Sequence, residues 1–189
     1  MNEAHEEKKV GEEMYKALTK KIDTLTENID LLIELMDIDE KNEGENMFDP
    51  NETAEMFDRP DITLRQYFEA EGKNLDAGIE LFKGNPKEEE ILEKYDDLMV
   101  SICRVFKPEK FISYSIVLIN NLLNRLNKLS DSSKDEERAE LYLENLTDII
   151  LDFNSYMEKN GMEIQVDARK KINDLNKSLK FFSLPLIQI

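Results

Sequence analysis

The sequence predicts an all-α protein: five to six helices bundled around an apolar central helix at residues 111–129, with a long N-terminal helix and an acidic loop after it. Three observations lead there. Six Gly and five Pro in 189 residues, gathered between periodic stretches, suit helices better than a series of short strands and turns. Apolar residues recur at steps of three and four along most of the chain. And Phe111 to Asn124 contains no Asp, Glu, Lys, Arg or His, in a chain that is 35% charged. An uncharged run of that length fits a buried core helix, because a membrane span needs about 20 residues. Arg104, Lys107 and Lys110 before it, with Arg125 and Lys128 after it, prevent a longer one.

Residues 1–36 read as the long N-terminal helix. Tyr15, Leu18, Ile22, Leu25, Ile29, Leu32 and Met36 alternate steps of three and four, a coiled-coil seam over three heptads. The pattern offers Tyr15, Leu18, Ile22, Leu25, Ile29 and Leu32 as self-association residues of a homodimer. Ile33 and Leu35 widen the stripe as packing inside a bundle requires. Residues 37–61 follow as an acidic, flexible connection, with ten acidic residues against two basic ones and with Gly44, Pro50 and Pro60 inside it.

Residues 62–189 are the expected helical bundle. Thr63-Leu64-Arg65-Gln66 is a capping box that opens the second helix. Leu64, Phe68, Leu75, Ile79 and Phe82 form its apolar face, with breaks expected at Gly72 and Gly78 and a stop at Gly84. Asn85-Pro86-Lys87-Glu88 supplies a cap, a first-turn proline and an early acid for the third helix, whose stripe is Ile91, Tyr95, Leu98, Ile102 and Phe106. Pro108 restarts the chain into the central helix. Along that helix Ser113, Asn120, Asn124 and Asn127 share one face, read as its solvent side.

A polar loop from Ser130 and a second capping box, Ser133 to Glu136, lead to the fifth helix. Its buried positions are Ala139, Tyr142, Leu143, Leu146, Ile149, Ile150, Phe153 and Met157, and Asn160-Gly161 ends it. Ala168, Ile172, Leu175, Leu179 and Phe182 mark the sixth. The closing residues, Ser183 to Ile189, are too apolar for a solvated end and are expected in a groove of their own fold.

Composition narrows the chemistry. One Cys and one His leave a disulfide framework impossible and a zinc or di-iron site without ligands, so no metal or cofactor is expected. The carboxylates at helical spacing, Glu90-x-x-Glu93 and Glu93-x-x-Asp96, overlap on one turn without a partner pair. Glu137, Glu140, Glu144, Asp148 and Asp152 line the polar side of the fifth helix. A calcium loop after Asp37 fails because Lys41 and Pro50 would fall on ligand positions. No phosphate-binding glycine motif or basic–aromatic patch occurs. The opening residues lack a basic start and an apolar run, so a cytoplasmic protein is expected.

A net charge of −17 disfavours direct contact with nucleic acid or a membrane surface and favours a protein partner with a basic surface. Within the acidic connection, Met47-Phe48-Asp49-Pro50 is echoed by Met56-Phe57-Asp58-Arg59-Pro60. Met47, Phe48, Asp49, Met56, Phe57 and Asp58 are therefore the candidate partner-binding residues, with folding back as lids on the bundle as the other use of the same pairs. The expected function is a non-enzymatic protein–protein interaction module, an adaptor or inhibitor. The alternatives are an acidic decoy for a nucleic-acid-binding protein and an all-α metal-dependent hydrolase whose carboxylates meet only in the fold.

Overall fold

A computed structural model describes residues 3–41, 49–129 and 133–189. In chain order it contains α1 (Glu3–Lys41), β1 (Thr53–Ala54), a 3-10 turn (Glu55–Phe57), β2 (Arg59–Thr63), α2 (Leu64–Glu80), α3 (Glu88–Phe106), α4 (Pro108–Asn127), α5 (Ser133–Asn160) and α6 (Val166–Phe181). The protein is an all-α bundle, with one two-residue antiparallel pairing, β1 to β2, among the described residues. No described helix is long and apolar enough to cross a membrane. The chain forms two compact units, Met1–Pro108 and Glu109–Ile189. The division falls at the proline that opens α4, and the acidic segment belongs to the first unit.

In that unit α1 packs mainly on α3, and also on α2. Ile22, Leu25, Ile29 and Leu32 are almost fully buried in the shared core with Leu64, Phe68, Leu75, Ile91 and Leu98. The heptad seam is thus spent inside the chain. Lys21–Glu71 (2.6 Å) and Lys94–Asp23 (2.8 Å) pin α1 to α2 and α3 at the rim.

The described part of the acidic segment is not a structureless connection. An α-helix leaves its first amide N–H groups without intrahelical partners. Here the segment supplies them: the Leu64 N–H donates to the Glu52 carbonyl (2.8 Å) and the Arg65 N–H to the Pro50 carbonyl (3.1 Å). Thr63 completes the cap, with its hydroxyl accepting from the Gln66 N–H and its own N–H donating to Gln66 Oε1, the capping box read from the sequence. Ala54, fully buried, seats the hairpin on the core.

The breaks expected in α2 do not occur. The helix runs through Gly72 and Gly78, and a Cβ at Gly78 would lie 2.9 Å from Leu18 Cδ1. Gly78 lets α1 approach rather than ending α2. Before α3, Asn85 is not the cap, because its Oδ1 accepts the Lys87 N–H in a tight turn and the helix begins at Glu88.

In the second unit α4 buries Phe111, Ile116, Leu118, Ile119, Leu122, Leu123 and Leu126. Phe111 stacks on Phe153 of α5 (centroids 5.6 Å apart) and touches Tyr156 (4.2 Å). Ser113, Asn120, Asn124 and Asn127 are exposed, the solvated side. α5 ends at a left-handed Gly161 and α6 is followed by a left-handed Ser183. Beyond it the closing residues lie against α5 and α6, with Ile187 2% exposed, as the apolar composition predicts.

Candidate functional site

The two Met-Phe-Asp pairs have separate fates. Met47 and Phe48 lie outside the described residues. Asp49 is exposed and works within its own turn, accepting the Asn51 N–H on Oδ1 (2.8 Å). Phe57 is half-buried in an aromatic cluster, stacked on Tyr67 (5.2 Å) and edge-on to Phe68 (5.9 Å), which in turn meets Phe106 (5.3 Å). That is the lid arrangement, and it uses the ring inside the first unit. Met56 remains 48% exposed beside it, and Asp58 takes the left-handed position that closes the 3-10 turn.

The self-association residues are likewise committed within the chain. Leu18, Ile22, Leu25, Ile29 and Leu32 are core. Tyr15 lies at the edge, its hydroxyl donating to Glu90 (2.5 Å) and Lys87 Nζ sitting 3.9 Å from its ring centroid. The bond to Glu90, then burial, pushes the Tyr15 hydroxyl up to about 12, because ionising it would place two anions side by side.

The acids follow two patterns. Glu137, Glu140, Glu144, Asp148 and Asp152 of α5 are exposed, as their spacing predicts. Among the described residues no group of three or more His, Cys, Asp or Glu side chains is gathered closely enough to hold a metal ion. Two carboxylates of other elements are held by a neighbouring cation. Lys177 holds Asp174 below the usual range, and Arg59 does the same for Asp61.

Sequence reasoning missed two features. Leu141 and Leu151 of α5 are each 53% exposed, on the acidic face rather than the buried stripe. Steps of three, four and three join Leu141, Glu144, Asp148 and Leu151 into one row, and that spacing was the available signal. The second feature is the pair Asn154 and Asn176, whose carboxamides reach the backbone of residues 186–188. A lone Asn on a helix gives no sign of such a role. An open groove of about 440 Å³ also separates α4 from α6, floored by Ile116, Val117 and Leu175 and rimmed by Asn120, Lys171, Asp174 and Ser178.

No protein-family model, curated protein or solved structure matches this chain.

Proposed function

We propose that this protein is a non-enzymatic interaction module that docks the outward face of α5 onto a basic partner protein. The observation that carries the reading is the placement of Leu141 and Leu151, half-exposed, within a row of five exposed acids. Single exposed leucines are ordinary on protein surfaces. Two on one helical line, ten residues and so about 15 Å apart, give a partner two apolar anchor points. The acids and the net charge of −17 add attraction to a positive rim, which speeds encounter and selects the partner. The contact moves from Met56-Phe57-Asp58 to α5 because the Phe57 ring is already engaged by Tyr67 and Phe68.

The test uses the partner recovered from native cells with the full chain. Leu141→Ser with Leu151→Ser should weaken binding about tenfold or more, as buried aliphatic anchors do, with the melting temperature nearly unchanged. Reversing Glu144 and Asp148 to Lys should slow association, and the slowing should fade in salt. Unaltered affinity in the leucine double variant rejects the proposal. The acidic-decoy reading draws on the same row of acids and makes the opposite forecast: affinity that falls steeply with salt and ignores the leucines.

A further inference from the structure

The segment after α6 turns back and lies as an extended chain between Asn154 of α5 and Asn176 of α6. Asn176 accepts the Ile187 N–H (2.9 Å) and donates to the Ile187 carbonyl (3.0 Å). Asn154 donates to the Leu186 carbonyl (2.9 Å) and accepts the Gln188 N–H (2.9 Å). Each carboxamide thus offers the donor and acceptor that a neighbouring strand would offer, and reads main chain rather than side chain. One side chain is engulfed, that of Ile187, whereas Leu186 and Ile189 stay 37% and 52% exposed. Four main-chain bonds and one aliphatic anchor form a built seat for an extended peptide. The attachment of the segment to α6 is its strained point. Ser183 has φ +57, a left-handed conformation that suits glycine and strains a residue with a Cβ.

We propose that this α5–α6 groove is an acceptor for an extended aliphatic segment, and that it takes residues 184–189 from a second copy of the chain in exchange for its own. A second copy fits better than any other occupant, because its segment reproduces all four bonds and the burial of Ile187, so exchange sacrifices no groove contact. Opening the turn at Ser183 releases its left-handed strain. Phe181, two residues from that turn and 81% exposed, is apolar surface at the crossing point that a pair of chains can cover. The inference uses the second unit alone and stands or falls apart from the acidic-face proposal.

Two full-length variants test it by complementation. Ile187→Asp keeps the groove and disables the segment, and Asn154→Ala with Asn176→Ala keeps the segment and disables the groove. Each alone should be monomeric. Their mixture should give a species of about twice 22.1 kDa in light scattering. A labelled peptide, Ser-Leu-Pro-Leu-Ile-Gln-Ile, should bind the Ile187→Asp chain and bind the double-Asn variant about tenfold more weakly or worse. A mixture that stays monomeric while the peptide binds would keep the acceptor groove and overturn the second copy as its occupant. No binding of the peptide to the Ile187→Asp chain would overturn both. Should either variant lose its helical circular dichroism, isotopically heavy and light wild-type chains are mixed and read by native mass spectrometry. Mixed dimers then support exchange, and their absence at high concentration refutes it.

Discussion

Two helices of the second unit end in the same backbone motif with different residues at its left-handed position. After α5 the Met162 N–H donates to the Met157 carbonyl and the Gly161 N–H to the Glu158 carbonyl, both at 3.3 Å. After α6 the Leu184 N–H donates to the Leu179 carbonyl (3.0 Å) and the Ser183 N–H to the Lys180 carbonyl (3.1 Å). Both are Schellman caps, with Gly161 at φ +55 and Ser183 at φ +57. Asn160-Gly161 was legible as a helix stop because glycine announces the conformation. Ser183 was not, since serine carries no such signal and only the fold imposes it. Ser183→Gly should therefore stabilise the protein by about 0.5–1 kcal/mol, the relief of strain less glycine's extra unfolded-state entropy. A thermal melt reads this as a rise of a few degrees for a unit of this size. If strain at Ser183 favours segment exchange, the same variant should also form fewer mixed dimers. A melting temperature that falls would show the left-handed geometry to be costless for serine here.

At the scale of the element, α2 separates what periodicity can read from what it cannot. Its glycines argue for breaks by helix propensity, yet the helix is continuous because tertiary packing outweighs about 1 kcal/mol per glycine. The two positions differ in surroundings. Around Gly72 a Cβ would meet nothing within 4 Å, and at Gly78 it would press on Leu18 at 2.9 Å. Gly72→Ala should thus gain close to the full propensity difference, about 1 kcal/mol. Gly78→Ala should gain less or lose stability, because buried Leu18 must shift. Denaturant melts of the pair decide this, and equal gains at both sites would mean that Leu18 yields freely. The acidic segment escaped the sequence for a related reason. Its order from Asp49 onward comes from the carbonyls of Pro50 and Glu52 meeting the orphan amides of α2, and carbonyls are common to every residue. The stripes of α1, α3 and α4 were readable because burial selects side chains. Leu141 and Leu151 shared a helical line with the acids but stood off the buried stripe, and the carboxamides of Asn154 and Asn176 had no repeating pattern to expose them.

For the whole molecule, helix order was legible and its partition was not. Periodicity marks which face of a helix is apolar, but not which other helix covers it. The long apolar run in α4 therefore suggested one bundle from residue 62 to the last, whereas the chain divides at Pro108 into two units with cores of their own. Ile29 lies fully buried in the first, among Leu32, Leu64 and Leu98, and Leu123 of α4 lies 2% exposed in the second. Each truncation to Ala should cost about 2–5 kcal/mol, by lost transfer energy and the cavity left behind. The units have separate cores, so the two losses should appear in different places. Calorimetry of Ile29→Ala should show the first unit's transition lowered, with a second left near its wild-type temperature. Leu123→Ala should do the reverse. Amide hydrogen exchange assigns each transition, through loss of protection in α1–α3 for one variant and in α4–α6 for the other. One transition, lowered alike by both variants and with protection lost throughout, would instead show that the two units unfold as a single cooperative body.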